Sequence, residues 1–443
     1  MNATYLQQFL SDAARSAKRS EIRELLKLIS RPEVISLAGG LPSPETFPIE
    51  DFCELTPRAL REHGRSAFQY GATEGDPGLL DQLVKLCAAE GIEGLDPSRI
   101  LITSASQQGL DLVSRVFLAP GDVVVCELPS YLGALAAFAA CGARMHGVAM
   151  DDQGIIPDLL EEKLLALRRA RARTKLLYLV PDFQNPAGVT LSLERRRDVL
   201  AIAREFDLLV IEDTPYRRLR YVGETLPTLS SLDSDGRVIS LFTFSKILSP
   251  GVRLGWVVAD PDIIARLTVA KQAVDLCTSS FTQVLVREYL ATGRIDALIE
   301  RSRGIYAEKR RVILDALDAE MDPSWGVKWT RPEGGLFLWM TLPPPLDAHE
   351  LFRVAIEENV AFVSGTAFHC DGGGRNTLRI NFSYSSPAQL RTAVQRLARA
   401  IGRLVAGQPA AHGAASPRRL PVVDEGHSLE MLPWSLALTE VVQ

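Results

Sequence analysis

The stretch TFSKILSPGVRLGW (243–256) sets a lysine at the end of an apolar run, VISLF, which is a costly place for an ammonium group. Burial disfavours the charged form and lowers its pKa. A neutral amine so placed is a nucleophile that can condense with a carbonyl as a Schiff base. A surface lysine in an ion pair is the ordinary alternative. What weighs for chemistry at Lys246 is its company. Thr243 and Ser245 precede it, and a Pro-Gly break brings Arg253 seven positions later. Two hydroxyls and a guanidinium suit a phosphate.

Other polar residues stand at comparable places. Ser106 and Gln107 open a helix pattern directly after the strand-like ILITSA, where free N–H groups and the helix dipole favour an anion; a plain N-cap is the alternative for Ser106. Asp213 ends LLVIED, where a carboxylate could keep a pyridine nitrogen protonated. Tyr216 and Asn185, the latter in PDFQNPAG, could donate to a phenolate oxygen, although Asn-Pro also makes a simple turn. Tyr131, in ELPSYLG, could stack on a flat ring or pack in the core. Together these residues supply each part of a pyridoxal 5'-phosphate site.

The elements that would position them alternate. Strand-like runs at 100–105, 123–129, 175–181, 208–213, 238–245 and 254–260 are separated by helix patterns such as SQQGLDLVSRVFL and LERRRDVLAIAREF. Nearly all-apolar strands alternating with helices predict an α/β fold with a mostly parallel sheet covered on both faces. In such sheets ligands sit beyond the carboxyl ends of the strands, where the polar residues above fall. After 261, long helix patterns with the few strands VKWTRP, GLFLWMTL and TLRINFS predict a smaller α+β lobe. EIRELLKLI has helical spacing, SLAGGLPSPETFP (36–48) is a loop, and 406–421 has the composition of a linker. No internal repeat is present.

Bulk properties exclude several classes. Of the 443 residues 47% are apolar, enough for large cores, and 49 basic against 54 acidic residues give a net charge of −5, which speaks against nucleic-acid binding. GxxxxGK[ST] and GxGxxG are absent, so nucleotide use has no motif behind it. The six cysteines are scattered without a CxxC pair, which reads as free thiols in a reducing compartment, and no metal site is expected. Neither a signal peptide nor a membrane span is expected, and the expected location is cytoplasmic.

The motifs IRELLKL, SLAGGLPSPETFP, FQYGATEGDPGL, SASQQGLDLV, PSYLGAL, VPDFQNPAG, IEDTPY, FSKILSPGVRLGW, RPEGGLFLWM and TLRINFS follow one another across residues 20–405. In that order they resemble the fold-type I, class I aminotransferases that depend on pyridoxal phosphate. Within that group they are similar to the branch of 2-aminoadipate and kynurenine/aminoadipate aminotransferases. The resemblance implies a large cofactor domain at 49–295 with a seven-stranded type of sheet. It also implies a smaller domain at 296–405, joined by the arm and substrate loop of 1–48. Family members usually stop near 405, so 406–443 departs from the pattern; a flexible tail is expected there, with a docking segment or a cap on the partner subunit as alternatives.

It implies roles too. Lys246 forms the Schiff base and moves the proton, Asp213 pairs with the ring nitrogen, Asn185 and Tyr216 bind the phenolate oxygen, and Tyr131 stacks on the ring. Ser106, Gln107, Ser245 and Arg253, assisted by Thr243, hold the phosphate. Tyr70 reaches the phosphate of a neighbouring subunit, so a homodimer is implied. Arg379 takes the substrate α-carboxylate, Gly39 and Gly40 wrap the substrate, and Arg23 meets a distal carboxylate, with an ordinary surface arginine as its alternative. The expected reaction is transamination of an L-amino acid with a 2-oxo acid, 2-oxoglutarate, as partner. Two other readings stand beside it. One is a fold-type I enzyme of another class, such as a decarboxylase, lyase or cyclase. The other is a cofactor-sensing regulator, disfavoured because about thirty residues precede the SLAGG loop.

Overall fold

The computed structural model describes residues 8–11, 14–15 and 32–407. The expected arm helix and residues 408–443 of the tail lie outside these residues.

After a short strand β1 (Ile35–Ser36), the main sheet takes β2 (Ile100–Thr103), β3 (Val123–Leu128), β4 (Arg144–Asp151), β5 (Gly154–Ile155), β6 (Thr174–Leu179), β7 (Leu209–Asp213), β8 (Val238–Thr243) and β9 (Gly255–Val258). Their order is β2-β9-β8-β7-β6-β3-β4-β5. From β8 to β4 every pairing is parallel. β9 runs antiparallel to both neighbours, and β5 folds back on β4. The six apolar runs are all strands, and the sheet has eight strands rather than seven because the two-residue β5 extends its edge. β4 carries no apolar run because it lies near that edge, where Val148 is its one buried residue.

The continuous apolar runs have a simple cause. Side chains alternate across a strand, and both faces are covered. On β3, Val124 and Cys126 pack with Leu110 and Val113 of the helix Ala105–Phe117. Val123 and Val125 pack the other way, with Leu160 and Leu164 of the helix Pro157–Arg169.

The second body is smaller. β10 (Lys328–Trp329), β11 (Phe337–Thr341), β13 (Val363–Ser364) and β14 (Thr377–Asn381) form an antiparallel sheet in the order β10-β11-β14-β13, while β12 (Val360–Ala361) pairs in parallel with β1. Its core includes Leu37, Leu338, Ile380 and the inner face of the helix Pro387–Val405. That helix starts on a capping box: the Ser386 side chain accepts from the Gln389 amide, and the Gln389 side chain returns to the Ser386 amide. The helix Ile295–Glu320 ties the two bodies. Ile295, Leu298 and Ile299 pack beside the main sheet, and Val312, Ile313 and Leu317 pack in the smaller core. No helix among the described residues is long and apolar enough to cross a membrane.

Candidate active site

The carboxyl ends of the main sheet open on a cavity of about 280 Å³. Ser106 and Gln107, Tyr131, Asn185, Asp213 and Tyr216 line it after β2, β3, β6 and β7. Thr243, Ser245, Lys246 and Arg253 line it from the β8–β9 connection, and Gly40 and Arg379 close it from the smaller body. Gly39 lies next to Gly40 but off the wall. Tyr70 is 77% exposed and stands outside its own chain's cavity. Arg23 lies outside the described residues.

Lys246 donates from Nζ to the Gly40 carbonyl at 2.8 Å. Burial, with help from the positive Arg379 and Arg253, brings its pKa down from 10.5 to about 8. Asp213 is buried, and Tyr178 donates to its Oδ2 at 2.9 Å. Oδ1 is buried with no partner. Burial pushes this carboxyl up to about 7, against the hydrogen bond from Tyr178. Asn185 joins two other groups: its Nδ2 donates to the Tyr216 hydroxyl at 3.2 Å, and its Oδ1 accepts from Arg379 Nη1 at 3.0 Å.

Arg379 is fully enclosed. Its Nη2 donates to the Ala38 carbonyl at 2.8 Å, its guanidinium lies 4.2 Å from the Phe337 ring centre and 4.9 Å from that of Phe368, and its Nε is buried without a partner. Burial lowers its pKa to about 10, which still leaves it charged at neutral pH.

At the other end of the cavity the helix Ala105–Phe117 begins. Ser104 is its N-cap residue, so Ser106 sits inside the first turn rather than capping it. Thr243 Oγ1 lies 2.9 Å from Ser245 Oγ and accepts from the Ser245 amide at 3.1 Å, which fixes Ser245. Pro250–Val252 form a single 3₁₀ turn that returns Arg253 to the wall, as the Pro-Gly break predicts. Ala105 and Arg253 both take left-handed backbone, φ 60° and 49°, a conformation that costs a side-chain-bearing residue about 1 to 2 kcal/mol. Strain of this kind gathers at functional sites. Gly133 is required by close packing: a Cβ there would fall 2.4 Å from Gln107 Oε1 and 2.5 Å from the Tyr131 ring.

Two residues that contact the site's side chains were not singled out by the sequence. Phe337 supports Arg379 from the middle of GGLFLW, where it reads as an ordinary strand residue. Tyr178 reads as part of an aliphatic strand, KLLYLVP. Its signal was the hydroxyl itself, since a phenol buried in such a strand needs a partner.

Residues 32–397 match the family described as aminotransferase class I and II. The chain is similar to the aromatic-amino-acid aminotransferase 1 of Thermococcus litoralis, 44% identical over 89% of this chain and 94% of that protein. It is similar to the 2-aminoadipate transaminase of Thermus thermophilus, 45% identical over 87% and 95%. It also superposes on the crystal structure of the α-aminoadipate aminotransferase from Thermus thermophilus with N-(5'-phosphopyridoxyl)-L-leucine, with a TM-score of 0.83 and 42% identity, covering 90% of this chain and 99% of that one. The cavity fits a phosphopyridoxyl group on its own evidence. It presents an orphaned buried carboxylate oxygen, an orphaned buried guanidinium nitrogen, a lysine with a lowered pKa and a helix N-terminus. The chain therefore belongs to the aminotransferase class I and II family, and it is an aminotransferase that uses pyridoxal 5'-phosphate.

Proposed function

We propose that the enzyme moves the amino group of an L-amino acid, either 2-aminoadipate or one with an aromatic or aliphatic side chain, onto 2-oxoglutarate, with Lys246 as the amine that carries the cofactor. The observation that carries the reading is the pairing, in one cavity, of an amine that titrates near 8 with the unpartnered Oδ1 of Asp213. When bound, pyridoxal 5'-phosphate supplies a pyridinium ring that accepts the electron pair left by the breaking Cα–H bond.

The chain does the rest. Asp213, ionised, holds the proton on the ring nitrogen. Lys246, about half free of its own proton near pH 8, would take the α-proton and hold it for return. Asn185 and Tyr216 bind the phenolate oxygen, and Tyr131 covers the ring. Ser106, Gln107, Ser245 and Arg253 take the phosphate, with Thr243 fixing Ser245. Arg379 is the planar, bidentate partner of the substrate carboxylate; its Nε has no partner and each Nη has made one bond, to Asn185 and to the Ala38 carbonyl. Gly39 and Gly40 present bare backbone to the substrate. Tyr70 completes the phosphate site of a second copy, so a homodimer is the working unit, and the enzyme works in the cytoplasm.

The cations on the cavity wall are Lys246, Arg253 and Arg379, and each has a part above. As the family resemblance implies, Arg23, which lies outside the described residues, would meet the distal carboxylate of a dicarboxylic donor. The test incubates purified enzyme with pyridoxal phosphate, 2-oxoglutarate and a panel of L-amino acids, and measures glutamate. Glutamate from 2-aminoadipate or from aromatic or aliphatic donors is expected; none from any of them would overturn the proposal.

A further inference from the structure

We infer that Tyr178 is a positioning residue for the reaction: its hydroxyl holds Oδ2 of Asp213 so that Oδ1 alone is left to the cavity. The inference rests on the cofactor reading above.

The register makes the contact. Tyr178 on β6 pairs with Ile211 on β7, and Asp213 lies two residues further along the same face of β7. The phenol reaches along the sheet and donates to Oδ2 at 2.9 Å. Tyr178 is fully buried, with its ring edge-on to Phe138 at 5.6 Å and 72°, and the pairing of β6 with β7 sets its place beside Asp213. A phenylalanine would fill the same space, whereas a buried hydroxyl is costly unless paired. The carboxylate explains why a tyrosine stands in an otherwise aliphatic strand.

The two oxygens then differ. A carboxylate free to rotate would present either one, and burial alone favours its neutral form. A hydrogen bond to one oxygen fixes the rotation and favours the ionised form, which is the form that holds a ring proton. The other titratable groups facing Asp213 are Glu127 on β3, Tyr131 and Tyr216. Among the described residues, Tyr178 alone donates to the Asp213 carboxylate.

The test compares holoenzymes of wild type, Tyr178→Phe and Phe138→Leu. The second variant loosens the packing of the same ring and keeps its hydroxyl. A buried hydrogen bond to a charged group corresponds to about one to two tenfold steps, so Tyr178→Phe should lower kcat about 10- to 100-fold. The KM of the amino donor should stay within about twofold, because Tyr178 is not on the cavity wall and the bond lost would count in the transition state rather than in substrate binding. Cofactor release on dialysis should quicken, and the pH midpoint of the cofactor's visible band should move by about one unit. Phe138→Leu should lower Tm and leave kcat and the band as in wild type. Wild-type kcat and band in Tyr178→Phe would overturn the inference, as would equal spectral changes in Phe138→Leu. Failure of the cofactor reading shows elsewhere: the unmutated enzyme would then bind no pyridoxal phosphate.

Discussion

Lys246 is held in a state it would leave if it could, and that has a measurable consequence for the cofactor-free protein. Its folded pKa of about 8 lies below the ordinary 10.5, which corresponds to about 3 kcal/mol of disfavoured charging. A lysine with a depressed pKa binds fewer protons folded than unfolded, so wild-type stability rises with pH between about 8 and 10.5. Below about pH 8 the whole penalty is present. Lys246→Met keeps the length of the side chain and removes the charge. It also removes the bond to the Gly40 carbonyl, which offsets about 1 kcal/mol. The cofactor-free variant should therefore be more stable than wild type by about 2 kcal/mol at pH 7, with a Tm higher by a few degrees. The gap should close as pH approaches 10.5. Thermal unfolding of both proteins, stripped of cofactor, at pH 7 and pH 10 reads the sign and its change. A variant no more stable than wild type at pH 7, or a gap that does not narrow at pH 10, would refute the argument that burial holds this amine close to neutrality.

Further outcomes follow from the same geometry. Arg379→Lys replaces a planar fork with a point charge and abandons the contacts to Asn185 and Ala38; the KM for the amino donor should rise about tenfold or more while the cofactor band persists, as steady-state kinetics beside an absorption spectrum would record. Gly133→Ala forces a methyl group onto Gln107 and the Tyr131 ring, so cofactor affinity, measured by titrating stripped enzyme with pyridoxal phosphate, should drop. Arg23→Ala should raise KM for dicarboxylic donors more than for aromatic ones; an equal effect on both would reduce Arg23 to a structural residue.

How much of this was legible beforehand depended on range. The apolar strands could be read because a sheet covered on both faces leaves no polar position along the run. The polar residues just after them could be read because such sheets put ligands at that edge. Lys246, Asp213, Asn185, Tyr216, Ser106 and Arg253 needed nothing further to be singled out. β4 could not be read, since near the edge of the sheet a strand needs no apolar run. Nor could the partners be read. Gly40 meets Lys246, and Arg379 meets Asn185, across some two hundred positions of chain. Strand order decides which chain ends become neighbours, and local periodicity carries no record of strand order. The same holds for Tyr178: nothing in the sequence reading singled it out, and only the β6–β7 register supplied Asp213. The sequence by itself determined which residues could do chemistry. The tertiary structure decided which oxygen of Asp213 is tied and which nitrogen of Arg379 is free, because those facts depend on distances between residues that the chain keeps far apart.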